Sequence, residues 1–109
     1  MLKVVSPYDQ SLIKEIPLAG KVEVEQALST AYELFQDQSK WIPAHERIAI
    51  LERTGEIMKT RIEELTITAA KEGGKPFNDS KVEVLRAING VKIAAEHIAQ
   101  LKGEQIPMG

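Results

Sequence analysis

Chemistry in this chain would have to come from two histidines, a handful of carboxylates and one glycine-lysine turn. His45 and His97 are the only histidines, and neither has a second histidine four residues away. That spacing would set two imidazoles on one helix face, so a helical zinc pair is excluded. A solvated or hydrogen-bonded imidazole accounts for each. Glu63-Glu64, Glu72 and Glu83 could supply paired carboxylates for acid–base work. On charged helices, however, such residues read as a solvated face. The turn Glu72-Gly73-Gly74-Lys75-Pro76 carries the glycines and lysine of a phosphate loop. A Walker loop needs Ser or Thr after its lysine, and here Pro76 follows Lys75; the GxGxxG dinucleotide fingerprint is missing as well. The chain has no cysteine, which removes disulfides, thiolate metal sites and any cysteine nucleophile. The expected catalytic, cofactor-binding and metal-binding sets within this chain are therefore all none.

The elements that flank the turn are legible in the spacing of apolar residues. Before it, Ile48, Leu51, Met58, Ile62, Leu65 and Ala69 recur in steps that follow one helix face; after it, Val84, Ile88, Val91, Ala95, Ile98 and Leu101 do the same. The glycines can end the first helix, and Pro76 cannot continue it. The first pattern predicts helix over 44–71, with Pro43 suited to its opening. One continuous helix and two helices kinked near Lys59-Thr60-Arg61 both fit that pattern. Gly55 within the seam costs about 1 kcal/mol relative to alanine and suggests a close helix approach. The second pattern predicts helix over 79–102, with Asn78, Asp79 or Ser80 as N-cap and Ser80-Lys81-Val82-Glu83 as a capping box. Gly103 is the expected stop. Asn89-Gly90 is a hairpin signal between strands, but here helix formers flank it, and it reads as helix. Residues 104–109 read as the start of an extended segment.

The N-terminal part predicts a β-hairpin over 2–18. Its strands are Leu2 to Ser6 and Leu12 to Leu18, joined by the turn chemistry of Ser6-Pro7-Tyr8-Asp9-Gln10-Ser11. Pro17 suggests an edge, and a lone hairpin is marginal in water, so this one needs a partner. A helix over 22–36 follows, with Val24, Leu28, Ala31 and Phe35 on one face. Glu23 and Glu25 stand in its first turn, where the helix dipole favours negative charge. Asp37 to Lys40 is a polar loop anchored by Trp41 and Ile42, with Trp41 as a packing residue.

Totals bound the possibilities further. A chain of 109 residues is one domain at most. It is 43% hydrophobic and 28% charged with a formal charge of -2, which argues against nucleic acid as a partner. No apolar run approaches the roughly 18 residues of a membrane span. The opening Met1-Leu2-Lys3-Val4-Val5 turns polar too soon for a signal peptide, so a cytoplasmic location is expected. A helix over 79–102 would extend about 36 Å. A compact globule of this length is only about 34 Å across. Such long helices suggest a layer of something larger, or a self-associating bundle.

Three stretches, in order, carry a resemblance. Ser6-Pro7-Tyr8-Asp9-Gln10-Ser11-Leu12-Ile13 with Ile16-Pro17-Leu18-Ala19 resembles the N-terminal hairpin of the aldehyde dehydrogenase superfamily. Trp41 and Pro43-Ala44-His45-Glu46-Arg47 with Ile50-Leu51 resembles the opening of its second helix. Glu72-Gly73-Gly74-Lys75-Pro76, followed by Lys81-Val82-Glu83-Val84 and Arg86-Ala87-Ile88, is similar to its third conserved block. That block, with Glu104 and Ile106-Pro107-Met108, is similar to the branch acting on lactaldehyde, glyceraldehyde 3-phosphate or phosphonoacetaldehyde. The resemblance implies a mostly α chain with a short N-terminal β-hairpin, the helical N-terminal portion of the aldehyde dehydrogenase α/β fold. It implies a parent that oxidises an aldehyde to a carboxylic acid with NAD or NADP, through a cysteine thiohemiacetal and a glutamate base. The family's nucleophile, base, oxyanion asparagine and cofactor glycines lie beyond residue 109 in that pattern. Residues 1–109 then form a single N-terminal fragment, inactive and cofactor-free by itself, of a homo-oligomeric parent. Structural roles fall to Glu72 and Lys75 in the turn and to Glu83 near a helix start. The competing reading is a stand-alone helical protein-interaction module without catalysis.

Overall fold

The computed structural model describes residues 1–109. Strands β1 (Leu2–Val5) and β2 (Leu12–Ile16) form an antiparallel hairpin. Its register sets Leu2 opposite Ile16 and Val4 opposite Lys14, with an irregularity between Val4 and Val5. The connecting turn is built on Asp9, whose carboxylate accepts from the Ser11 amide at 3.0 Å and the Ser11 hydroxyl at 2.7 Å. Both long edges of the sheet are open, since it has only two strands.

Helix α1 (Lys21–Gln36) begins where the Glu23 carboxylate accepts from the Gly20 amide at 2.8 Å. At its other end the Trp41 indole N–H donates to the Leu34 carbonyl at 2.8 Å, satisfying one of the acceptors a helix end leaves free. A 3-10 turn at Gln38–Lys40 lies between them, started by Asp37. Trp41 also stacks obliquely on Phe35, with ring centres 6.3 Å apart. Every residue of α1 is nonetheless exposed. It packs on the 3-10 turn and makes no substantial contact with the rest of the chain.

The apolar seam over 44–71 belongs to two helices, α2 (Ala44–Thr60) and α3 (Ile62–Gly73). Arg61 leaves helical geometry at φ -120 and ψ 19. There the Thr60 hydroxyl donates to the Ile57 carbonyl at 2.7 Å, and Arg61 Nε donates to Glu64 Oε2 at 2.8 Å. Helix α4 spans Phe77–Ile98, which corrects the expected 79–102 at both ends. Pro76, at φ -55, stands as the residue before the helix. Its fixed φ and missing N–H suit a helix entry, so Asn78 and Asp79 fall inside the first turn rather than capping it. Ser80 is buried in the helix and Glu83 turns to Lys75, so the expected capping box does not form. At the far end the Gln100 and Leu101 amides take the His97 and Ile98 carbonyls, well before Gly103. Leu101, expected on the apolar stripe, is 75% exposed and has nothing to hold the helix onto.

Helices α2, α3 and α4 pack together and contain the only buried residues: Gly55, Thr66, Ser80, Val84, Ile88 and Ala95. Gly55 sits over Val91, but a Cβ there would meet Val91 Cγ1 at 3.9 Å, an ordinary contact. The seam is close without requiring glycine. The whole chain is elongated, with extents of 65 × 38 × 28 Å and a radius of gyration of 19.6 Å. A compact chain of this length would have about 13 Å.

Candidate functional site: the hinge between α3 and α4

Residues 72–76 place a left-handed residue between two helices. Gly74 has φ 61, and its amide donates to the Ala70 carbonyl. The Lys75 amide donates to the same carbonyl at 3.3 Å, closing α3 in the manner of an αL stop. Gly74 is required on a second ground. A Cβ built there would lie 2.6 Å from Pro7 Cγ, so the hairpin turn rests directly on the hinge. Ser6, Tyr8, Ala70, Lys71, Gly74 and Lys75 enclose a shallow concavity of about 320 Å³ at this junction.

Lys75 reaches along α4 to Glu83, Nζ to Oε1 at 2.6 Å, with both side chains about half exposed. The pair ties the turn to the second turn of α4, while the Ser80 amide bonds the Pro76 carbonyl at 3.1 Å. The fully buried Ser80 hydroxyl has no partner. Thr66, equally buried on α3, satisfies its own hydroxyl on the Ile62 carbonyl at 2.7 Å.

The remaining candidates stay apart. His45 is exposed and lies 4.0 Å from the Glu46 carboxylate. His97 sits on α4 with Nδ1 3.1 Å from the Ile93 carbonyl. Glu63 and Glu64 do not act as a carboxylate pair. Glu64 is bonded to Arg61, which holds its carboxyl below the usual range, the opposite of what a proton donor near neutrality requires. Glu72 is exposed beside the hinge. No three His, Cys, Asp or Glu side chains gather where they could share a metal ion. A second concavity, a groove of about 540 Å³ between α2 and α4, is lined by Leu51, Gly55, Leu85, Ile88 and Asn89 among others. Pro7 on Gly74, the burial of Ser80 and the bond from Trp41 to Leu34 were not legible in the sequence. Each joins residues whose contact no local pattern announces.

The α2–α4 block, α1 standing clear of it and the hairpin resting on the hinge make a mostly α chain with one N-terminal β-hairpin. The aldehyde dehydrogenase family profile matches residues 1–109, and the chain belongs to the aldehyde dehydrogenase family, as an N-terminal segment of its fold. A lactaldehyde dehydrogenase from Methanocaldococcus jannaschii is 34% identical over 106 residues, 97% of this chain and 23% of that protein. Malonate-semialdehyde dehydrogenase 2 from Bacillus cereus is 36% identical over 107 residues, 98% of this chain and 22% of that one. The crystal structure of glyceraldehyde-3-phosphate dehydrogenase GapN from M. jannaschii, complexed with NADP, superimposes with a TM-score of 0.87 at 32% identity, covering 100% of this chain and 24% of the other. The chain thus spans less than a quarter of the length of each of these proteins. The mostly α arrangement with one N-terminal hairpin is the one expected from the resemblance.

Proposed function

We propose that this chain is the N-terminal segment of an aldehyde dehydrogenase that oxidises an aldehyde to a carboxylic acid with NAD or NADP, and that the segment alone is inactive. The family match over all 109 residues carries this reading. NADP in the GapN complex supports a nicotinamide cofactor for the parent, which would accept the hydride. The residues present here do not fit a dinucleotide. Lys75 is held by Glu83, and Pro7 fills the space over Gly74, so the glycine turn offers no open cradle for phosphate. The reaction's thiolate also has no candidate among these residues, since cysteine is absent. The role left to this segment is architectural. Its hinge sets the angle between α3 and α4 and anchors the hairpin beside them.

The relatives' names differ in their aldehyde, from lactaldehyde to malonate semialdehyde, so the substrate is assigned only as a small aldehyde. Self-association of the parent is part of the same reading. A cytoplasmic location is part of the same reading, and no helix is long and apolar enough to cross a membrane. The purified chain, mixed with NAD or NADP and short aldehydes, should reduce no cofactor above a protein-free blank. Aldehyde-dependent reduction by the pure chain would overturn the reading.

A further inference from the structure

Asn89-Gly90 has the composition of a tight turn yet lies in the middle of α4. Asn78 and Asn89 are the chain's two asparagines, and only Asn89 is followed by glycine. In a flexible chain that pair is chemically unstable. The Gly90 amide nitrogen can attack Asn89 Cγ, because glycine sets no Cβ in the way and rotates freely. The new N–Cγ bond closes a five-membered succinimide, and the side-chain NH2 leaves with the amide proton as ammonia. Water then opens the ring at either carbonyl, giving aspartate or isoaspartate. Water is the only co-reactant.

Helix α4 withholds what the attack needs. In an α-helix the Gly90 N–H is spent on the Arg86 carbonyl four residues back. Helical φ and ψ also hold that nitrogen away from the ring geometry. The restraint acts at a weak point of the helix. Asn89 and Gly90 are exposed, and nothing lies within 4 Å of a Cβ placed at Gly90. Both are poor helix formers, glycine by about 1 kcal/mol relative to alanine. The flanking core keeps this turn helical, with Ile88 buried beside it and Val91 lying over Gly55.

Either product opposes the return of α4. Isoaspartate adds a carbon to the backbone and breaks the spacing of the helical bonds. Aspartate adds a carboxylate to the groove between α2 and α4, which Glu52 and Glu56 already line. The lysines of that groove are engaged. Lys59 donates to Glu56 at 2.7 Å, and Lys92 lies 3.8 Å from Glu96.

We propose that Asn89 is a deamidation site held unreactive by α4, and that each opening of the α2–α4 block exposes it to an irreversible change that weakens α4 when it closes again. This rests on the fold and not on the catalytic reading. The lifetime of Asn89 is then set by the fraction of time the block is open.

The test incubates the 109-residue chain at mildly alkaline pH, in urea from zero to beyond the unfolding transition. Peptide mass spectrometry reads Asn89 conversion, and fragmentation tells isoaspartate from aspartate. Without urea, Asn89 should convert at least about tenfold more slowly than in the unfolded chain. Below the transition, the logarithm of its rate should rise linearly with urea, with the slope of the unfolding free energy. Gly74→Ala should raise the rate without urea about 5–30-fold. In full urea, Asn89 should outpace Asn78, which Asp79 follows, and Gly90→Ala should slow it. Fully converted chain returned to buffer should show less helix by circular dichroism than unconverted chain. Equal rates in folded and unfolded chains would remove the protection by α4. A rate flat in urea below the transition, or a Gly74→Ala chain that loses stability but converts no faster, would overturn the link to opening of the block. Unfolded chain in which Asn89 converts no faster than Asn78 would exclude the site itself, and full recovery of helix after conversion would overturn the weakening of α4.

Discussion

At the scale of single residues, the glycines separate into those the backbone requires and those it does not. Gly74 combines a left-handed φ of 61 with a Cβ position 2.6 Å from Pro7. Gly74→Ala should destabilise the chain by at least the about 1–2 kcal/mol that left-handed geometry costs a residue with a Cβ. Gly90, inside α4, has nothing within 4 Å of its Cβ position, so Gly90→Ala should stabilise by about 1 kcal/mol. Urea unfolding followed by circular dichroism checks both, and a Gly74→Ala chain as stable as the parent would remove the hinge account. That a glycine ends α3 was legible from Gly73-Gly74 before Pro76. Which of the two turns left-handed, and that Pro7 lies over it, was not, because the contact joins distant parts of the sequence. Two aspartates give a pH signature. Side-chain bonds from Ser11 hold the Asp9 carboxyl below its usual range, and bonds from Ser39 do the same for Asp37. A carboxylate whose folded pKa is depressed contributes stability above its unfolded value of about 3.9, and loses it as pH falls through the lower folded value. The Ser11 and Ser39 amide resonances should therefore titrate with midpoints below about 3.9. Midpoints at or above that value would exclude these bonds in solution.

At the scale of elements, the apolar seam over residues 44–71 was visible and allowed a break near Lys59-Thr60-Arg61, where the structure has one at Arg61, but the pattern could not choose between one helix and two. Met58, Ile62 and Leu65 keep the three-four spacing straight through the break at Arg61. Periodicity reports which face is buried, not whether the backbone bonds run unbroken. The ends of α4 were missed for a related reason. Ser80 and Glu83 matched a capping box, yet Pro76 starts the helix earlier and leaves Glu83 free to bond Lys75. The Lys75–Glu83 pair spans the junction, but both groups are half in water, where such pairs contribute about 1 kcal/mol or less. Lys75→Met should therefore lower stability by no more than about 1 kcal/mol, with α3 and α4 intact by circular dichroism. A larger loss would mean that the pair, rather than Gly74 and the packing of α2 to α4, sets the hinge.

At the scale of the whole molecule, the length of the last helix already hinted at a body too large for a compact globule of this size. The sequence could not say where α1 would lie, because its apolar face makes no substantial contact with the other helices. The structure turns that into a difference in local stability. The α2–α4 block has a core in Val84, Ile88 and Ala95, whereas α1 has sixteen residues and none buried. An isolated helix of that length is marginal in water, since helix stability in proteins comes mainly from tertiary packing. Hydrogen exchange on the dilute chain should show α1 amides exchanging close to unprotected rates. Amides of α4 near Ile88 should be slower by the opening free energy of the block. If α1 in the dilute chain is already as protected as α4, its own contacts suffice to hold it, and the difference argued from burial is wrong.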